Sequence, residues 1–207
     1  MADVARDLAQ RLHGLNIYLV GMMGAGKSAV GRPLAEALGY RFLDADTSIS
    51  RAAGRSIAEI FRCDGEEGFR DLETAVLAGI ASWHSLVVAT GGGVVTRPCN
   101  WGHLQQGVVV WLDAPAELLL ERLRLDPTPR PLLHESDPER RLRTLLEQRA
   151  PLYAQADLRI AQAGEPPAEV AAAVLRQLPT ILRQPEAAPT EPITLVDGEG
   201  RPCRSLN

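Results

Sequence analysis

Short apolar runs alternate along the chain with longer segments in which apolar residues recur every three or four positions. Continuous apolar runs are typical of strands that a parallel sheet buries on both faces, whereas the spaced pattern is typical of helices. Strands are predicted over residues 17–20, 41–43, 86–89, 108–112 and 158–161. Helices are predicted over residues 1–14, 29–38, 56–63, 66–83, 115–123, 138–150 and 167–178. The alternation predicts an α/β fold with a parallel five-stranded sheet flanked by helices.

The pattern changes at both ends of the chain and once within it. Residues 1–15 predict a helical cap, and residues 16–183 hold the alternating pattern of the main domain. Residues 125–136 are rich in proline and join two predicted helices, so we expect a lid there. Residues 184–207 are rich in Pro, Glu and Ala and are expected to form a flexible tail, with a small hairpin over residues 193–198 as the alternative.

Composition and charge exclude several classes of partner. The 207 residues carry a formal net charge of −4 with scattered arginines, so no basic surface for nucleic acid is expected. No run approaches the roughly 18 apolar residues that span a membrane, and residues 1–15 lack the apolar core of a secretory signal. The three cysteines are odd in number and far apart, without metal-ligand spacing. We expect a cytoplasmic protein with no nucleic-acid or membrane partner.

The first candidate chemistry follows the first predicted strand. Residues 21–28, GMMGAGKS, match the G-x-x-x-x-G-K-[ST] pattern of a phosphate-binding loop. The N–H groups of such a loop converge on a polyphosphate, and the N-terminus of the next helix adds its dipole. Lys27 would supply a mobile charge, and the Ser28 hydroxyl suits Mg²⁺. Lys27 is the only lysine of the chain, which indicates that this position needs a compact ammonium.

Carboxylates follow the second and fourth predicted strands. Asp44 and Asp46 come after the second strand, and residues two apart at a strand end face the same side. They could act on a metal ion or a substrate, or they could simply cap a helix that begins near Thr47. Asp113 follows the fourth strand and could be a metal-binding acid, but Pro115 two residues later favours a helix N-cap.

Three consecutive glycines, Gly91 to Gly93, follow the third predicted strand and would allow backbone atoms to approach a ligand closely. Parallel strands end at one edge of a sheet, and ligands of such sheets bind beyond that edge. We therefore expect the phosphate-binding loop, the paired aspartates and the glycines to meet. A nucleotide, a metal ion and a second ligand could bind there together.

Taken jointly, these motifs resemble those of the shikimate kinase family, whose fold is similar to that of the nucleoside monophosphate kinases. The resemblance covers roughly residues 16–178. The matching stretches are GMMGAGKS (21–28) with VGR (30–32), FLDAD (42–46), SIAEIF (56–61), GEEGFRDLE (65–73), ATGGG (89–93), RPLL (130–133) and QRAPLY (148–153). A phosphate-binding loop occurs in many enzymes, but D-x-D, F-R-x-x-E, T-G-G-G and R-P-L-L in this order are specific. The resemblance implies a P-loop three-layer sandwich with a lid, acting as a monomer.

The resemblance also implies a reaction, in which ATP phosphorylates the 3-hydroxyl of shikimate to give shikimate 3-phosphate and ADP, on the pathway to chorismate and aromatic amino acids. The residues it implies for ATP are Gly24, Ala25, Gly26, Lys27, Ser28, Ala29 and Arg130. The residues it implies for shikimate are Asp46, Arg70, Gly92 and Arg149. Mg²⁺ would be held by Ser28 and, through water, by Asp44. Lys27, Asp46 and Arg130 would be catalytic, with Arg130 closing from the lid over ATP.

Elementary chemistry agrees with these implied roles. Arginine forks suit a carboxylate, and an aspartate can orient and deprotonate an attacking hydroxyl. Two structural alternatives stay open, because Arg70 could be a helix-face charge paired with Glu73 and Arg149, taken alone, could be a solvated helix end. Ala29 and Ser50 replace a threonine and a glutamate that are usual in the family. Residues 163–167 lack an obvious basic residue, so the adenine contacts are left without a prediction.

Two other functions would also use the loop. A small kinase acting on gluconate would explain the phosphate-binding loop, but not the combination of D-x-D with T-G-G-G. A non-catalytic nucleotide-binding relative should have lost Lys27, Asp46 or Arg130, and this chain retains all three.

Overall fold

The computed structural model of the protein describes residues 2–126 and 137–182. Its strands are β1 (Ile17–Val20), β2 (Arg41–Asp44), β3 (Leu86–Ala89), β4 (Val108–Asp113) and β5 (Leu158–Ala161). Its helices are α1 (Ala2–Arg11), α2 (Lys27–Leu38), α3 (Ala45–Ala53), α4 (Ile57–Ala81), α5 (Pro98–Leu104), α6 (Ala116–Leu125), α7 (Pro138–Tyr153) and α8 (Pro167–Gln177). Short 3₁₀ turns cover Val94–Thr96 and Leu178–Thr180.

Within these residues the strands form one sheet of five in the order β2-β3-β1-β4-β5, and every neighbouring pair is parallel. The register places Ile17 of β1 beside Val87 of β3 and Val108 of β4. Because every strand runs the same way, all the strands end at one edge. The predicted five-stranded parallel α/β fold is confirmed.

The central strand β1 contributes side chains to both faces of the sheet. Ile17 and Leu19 pack with residues of α1, α2, α7 and α8, while Tyr18 and Val20 pack with residues of α4 and α5. All four side chains are buried. The two helical layers explain why the strand is apolar throughout, since a half-exposed strand would alternate between apolar and polar residues.

Helix α4 differs from its prediction. We expected two helices separated by a turn, whereas the structure runs from Ile57 to Ala81 as one element with a kink at Gly65, whose φ of 71° and ψ of −173° are not helical. The capping box predicted at its start is confirmed, since Ser56 Oγ accepts from Glu59 N and Glu59 Oε2 accepts from Ser56 N. Glycine allows the chain to turn while the helical segments stay in contact.

The capping role predicted for Asp113 is wrong. Asp113 is the last residue of β4, in register with Ala161 of β5, and its carboxylate accepts hydrogen bonds of 2.9 and 2.6 Å from Arg159. Pro115 occupies the N-cap position of α6 instead. Pairing with the edge strand extends β4 by one residue beyond its apolar run.

Helix α5 was not predicted, because its seven residues are too few to show a helical period. Of the predicted lid, residues 127–136 with Arg130 lie outside the described residues, as does the predicted tail. In the part of the chain that is described, no helix has both the length and the apolar composition needed to cross a bilayer.

Candidate active site

The phosphate-binding loop connects β1 to α2 at the edge where the strands end. Gly24 and Gly26 have φ angles of 79° and 83°, in the left-handed region that a side chain would strain. Helix α2 begins at Lys27, immediately after the loop, so its N-terminus and dipole point into the site. The local sequence therefore forms the anion-binding turn that its glycines predict.

Lys27 lies across the loop that precedes it. Its side chain is 9% exposed, and Nζ donates to the carbonyl oxygens of Gly21 at 2.8 Å and Met22 at 3.0 Å. Both acceptors are neutral carbonyls. A phosphate oxygen carries a full charge and makes a stronger hydrogen bond with an ammonium group. The ammonium group of Lys27 is thus held at the loop, where it can exchange these carbonyls for a bound anion.

Two side chains from other elements hold the outer side of the same loop. Arg122 of α6 donates through Nη1 to the carbonyl oxygen of Gly24 at 3.3 Å and to Gln162 Oε1 at 3.2 Å. Gln162, which follows β5 and is buried, donates through Nε2 to the carbonyl oxygen of Ala25 at 2.9 Å. These donors bind carbonyls, so the loop is braced in the orientation that an N–H cradle for anions requires.

A cleft of about 300 Å³ opens in front of the loop. Its lining residues are Met23, Gly24, Gly26, Lys27, Ser28, Ala29, Asp44, Asp46, Thr90, Gly92, Arg122, Leu123 and Asp126. The phosphate-binding loop, the paired aspartates and the glycine turn (Gly91 to Gly93) follow three different strands and therefore meet at the edge where these parallel strands end. Ala25 is buried beneath the loop and does not line the cleft.

The two aspartates reach the cleft by a route that the sequence did not predict. Asp44 ends β2 and caps α3, where its Oδ1 accepts from Thr47 N at 3.1 Å, while Asp46 lies in the first turn of that helix. The strand alternation used to place them is therefore wrong. The helix turn brings both carboxylates to the cleft, and Asp44 Oδ2 additionally accepts a 2.6 Å hydrogen bond from Ser28 Oγ.

Arg70 of α4 is buried behind the glycine turn. It donates through Nη1 to Glu73 Oε2 at 2.7 Å and through Nη2 to Glu66 Oε1 at 3.1 Å, and it is 4% exposed. The pairing with Glu73 is confirmed, but the pair lies in the interior rather than on a solvated helix face. Burial raises the pKa of Glu73, and the positive charge of Arg70 opposes that shift.

Arg149 is a buried residue of α7, so its interpretation as a solvated helix end is wrong. The helix continues to Tyr153, three residues beyond its predicted end, and this continuation packs against the glycine turn. Arg149 is 5% exposed and donates through Nη1 to the carbonyl oxygen of Gly92 at 3.3 Å. The Tyr153 hydroxyl donates to the same oxygen.

A second cavity of about 330 Å³ lies beside the loop. It is lined by Gly26, Ala29, Val30, Arg122, Gln162, Gly164, Glu165, Pro166 and Pro167. Sequence reasoning missed Arg122 and Gln162, the polar side chains that link this cavity to the loop. Arg122 stands among other charged residues of α6, and Gln162 is the first residue after the short strand β5, so neither position shows a distinctive pattern.

Comparison with known proteins identifies the family. The sequence profile described as shikimate kinase matches residues 23–179, which is most of the chain. A relative named shikimate kinase from Synechococcus sp. strain RCC307 is 60% identical over 188 residues, covering 91% of this chain and 96% of the relative. A second, from Parasynechococcus marenigrum, is 56% identical over 191 residues and covers 92% of this chain and 100% of the relative.

Among solved structures, the shikimate kinase from Acinetobacter baumannii in complex with shikimate superimposes with a TM-score of 0.79. The two sequences are 44% identical, and the match covers 84% of this chain and 97% of the Acinetobacter chain. The sequence profile, the relatives and this structure all point to the family that the motif order indicates. The chain therefore belongs to the shikimate kinase family.

Proposed function

We propose that this protein transfers the γ-phosphoryl group of ATP to the 3-hydroxyl of shikimate and releases shikimate 3-phosphate and ADP. The observation that supports this most directly is the cleft itself. The phosphate-binding loop, Asp46 and Gly92 all line it, and two buried arginines contact Gly92 and Gly93. Phosphate, hydroxyl and carboxylate each have a suitable partner in this arrangement.

The loop is the proposed phosphate site for ATP. The N–H groups of residues 24–29 and the N-terminus of α2 provide the positive field, and Lys27 provides the mobile charge. The nucleoside is proposed to extend into the second cavity, which Arg122 and Pro166 both line and where the planar guanidinium of Arg122 can stack on a base. Arg122 thereby takes the place of the basic residue that residues 163–167 lack.

The carboxylate of shikimate is proposed to bind between Arg70 and Arg149. Both arginines are almost fully buried, and they contact neighbouring residues of one turn, Arg149 at Gly92 and Arg70 at Gly93. A planar carboxylate is matched by planar donor forks in a site where water cannot screen the charges. Gly92 lines the cleft and offers backbone atoms to the ring substituents.

Asp46 is the proposed base for the attacking hydroxyl. A carboxylate that accepts the hydroxyl proton while the oxygen attacks phosphorus lowers the barrier and also fixes the direction of attack. Lys27 would leave the carbonyls of Gly21 and Met22 and bind the transferred phosphoryl group, whose spreading charge it stabilises. Arg130 is proposed to add a second positive charge from the lid.

Ser28 and Asp44 fit a magnesium site. A hydroxyl and a carboxylate oxygen only 2.6 Å apart at the cleft are the hard oxygen ligands that Mg²⁺ prefers. We propose that Ser28 contacts the ion directly and Asp44 through water. When bound with ATP, the ion neutralises phosphate charge. The hydrogen bond between Ser28 and Asp44 keeps both side chains oriented toward this site, with or without the ion.

An ADP-release assay across three acceptors tests the function. Shikimate, gluconate and nucleoside monophosphates are each offered with ATP and Mg²⁺, and acceptor-dependent ADP is measured. We expect ADP only with shikimate, and mass spectrometry should detect shikimate 3-phosphate. ADP with gluconate and none with shikimate would overturn the proposal in favour of the other small-molecule kinase. ATP binding without turnover on any acceptor would favour a non-catalytic nucleotide-binding protein.

The remaining proposals concern the oligomeric state, the location and the partners of the protein. We propose that the protein works as a monomer in the cytoplasm, without nucleic-acid or membrane partners. The net charge of −4 opposes binding to a phosphate backbone. Sedimentation of the purified protein at working concentration tests the monomeric state.

A further inference from the structure

The peptide that joins Gly92 to Gly93 contacts the two buried arginines. Arg149 Nη1 is 3.3 Å from the Gly92 carbonyl oxygen. The Arg70 guanidinium packs so closely on Gly93 that an added Cβ would overlap it. The same turn also contacts the nucleotide loop, since a Cβ on Gly92 would lie 3.2 Å from Met23 N. The position of this one peptide therefore affects both arginines.

Tyr153 binds the same peptide through a hydrogen bond. Its hydroxyl donates to the Gly92 carbonyl oxygen, the same atom that Arg149 contacts. The tyrosine has no exposed surface, and its ring stacks on Trp111 with 5.9 Å between centroids and 28° between planes. A ring packed in this way cannot move without disturbing the core, so the hydroxyl is a fixed donor.

We infer that Tyr153 is a positioning residue for the acceptor carboxylate, because it binds the Gly92 carbonyl and so releases Arg149 to bind substrate. This inference rests on the proposed function, in which Arg149 binds the shikimate carboxylate. Tyr153 itself touches neither substrate; it acts through the peptide and through the arginine.

The physical reason is competition for one acceptor. The Gly92 carbonyl is partly buried, and leaving such a group without hydrogen bonds is costly, so an arginine that is its only donor is held back from other partners. When Tyr153 satisfies the carbonyl, Arg149 can turn toward a carboxylate at little cost. The tyrosine also fixes the peptide plane, and in a trans peptide this directs the Gly93 N–H away from Tyr153.

The protonation state of Tyr153 agrees with a donor role. Burial raises its pKa to about 12, so the hydroxyl keeps its proton throughout the range in which a kinase is assayed. A neutral hydroxyl is also compatible with the nearby positive charge of Arg149, because the hydrogen bond to Gly92 does not require Tyr153 to be ionised.

The test is Tyr153→Phe, which keeps the ring and removes the donor. We expect the KM for shikimate to rise on the order of tenfold, while kcat and the KM for ATP stay within about twofold of the wild type. The matched control is Tyr18→Phe, because Tyr18 is equally buried and its hydroxyl accepts a hydrogen bond from Asn16 at 3.4 Å, at the opposite end of β1 from the loop. The control should change melting temperature without changing either KM.

A double-mutant cycle identifies the route of the effect. In an Arg149→Lys background, Tyr153→Phe should raise the KM for shikimate by a smaller factor than in the wild type, since both changes weaken the same carboxylate contact. An unchanged KM for shikimate in Tyr153→Phe would overturn the inference, as would an equal rise in both KM values in the two phenylalanine variants. A wild-type protein inactive on shikimate would contradict the proposed function as well, so the two failures are distinguishable.

Discussion

Ser28 donates a 2.6 Å hydrogen bond to Asp44, and this contact joins the start of α2 to the end of β2. The hydroxyl directs its hydrogen toward the carboxylate as a hydrogen-bond donor, so the lone pairs of both groups can face the cleft that they line. Asp44 uses its other oxygen to cap α3. One side chain thus connects the phosphate-binding loop with the helix that carries Asp46.

The first prediction separates the two aspartates. Asp44→Asn should raise the Mg²⁺ concentration needed for half-maximal activity and be partly rescued by excess Mg²⁺, because the ion loses an anionic partner. Asp46→Asn should lower kcat by about 10²- to 10⁴-fold with nucleotide affinity preserved, and added Mg²⁺ should not restore it. Turnover, nucleotide affinity and melting temperature are measured together. Near-normal turnover with a lowered melting temperature in Asp46→Asn would show a capping residue only.

The second prediction concerns the single lysine. Lys27→Ala should abolish measurable transfer, and Lys27→Arg should fail as well, because a planar fork cannot fit between the carbonyls of Gly21 and Met22 that receive the ammonium. Steady-state kinetics and a melting curve are recorded for both variants. Wild-type turnover in Lys27→Arg would contradict the need for a compact cation.

The third prediction tests the packing of Arg70 on the glycine turn. Gly93→Ala should raise the KM for shikimate by about tenfold or more, because its methyl group would displace the guanidinium that is proposed to bind the carboxylate. Gly79→Ala is the matched control on α4, since an added Cβ there meets nothing within 4 Å. Equal kinetics in the two variants would argue against a fixed Arg70.

The fourth prediction concerns Gln162, which braces the loop from β5. Gln162→Met keeps the side-chain length but removes the donor to Ala25 and the acceptor for Arg122. We expect the KM for ATP to rise about 3- to 10-fold with the KM for shikimate unchanged, since only the nucleotide side loses contacts. The exposed Gln155→Met serves as control. A loss of stability without a change in the KM for ATP would assign Gln162 a purely structural role.

The fifth prediction is a pH dependence. The chain has three tyrosines, and burial raises the pKa of Tyr18, Tyr40 and Tyr153, that of Tyr153 to about 12. The neutral form is favoured in the folded state, so the contribution of Tyr153 is fully present below its unfolded pKa of about 10. It is lost as pH rises toward 12, by about 2 kcal/mol at that pH.

Ultraviolet absorbance of tyrosinate measures this directly. In the native protein, ionisation should begin above pH 10 and finish last for Tyr153, whereas in denaturant all three should titrate near pH 10. Tyr153→Phe should remove the latest step. A native titration that coincides with the denatured one would contradict the burial of these hydroxyls.

Much of the fold follows from local sequence. The apolar run of β1 is buried on both faces, and the glycines of residues 21–26 permit the tight anion-binding turn that their motif predicts, so strand, loop and helix could be predicted together. The order of the strands in the sheet could not be predicted, but parallel strands end at one edge whatever their order. This is why the meeting of the phosphate-binding loop with Asp44, Asp46 and Gly92 was predictable without it.

Tertiary structure alone decided what surrounds each charge. Arg149 and Arg143 both lie on α7, yet Arg149 is buried against Gly92 while Arg143 is only partly buried and pairs with Glu117 and Glu139. A sequence gives both the same formal charge. Burial and partners depend on which helix face meets the sheet, and that is set by packing between residues far apart in the chain. The roles of Tyr153 and Gln162 arise in the same way, from contacts of 61 and 137 residues' separation.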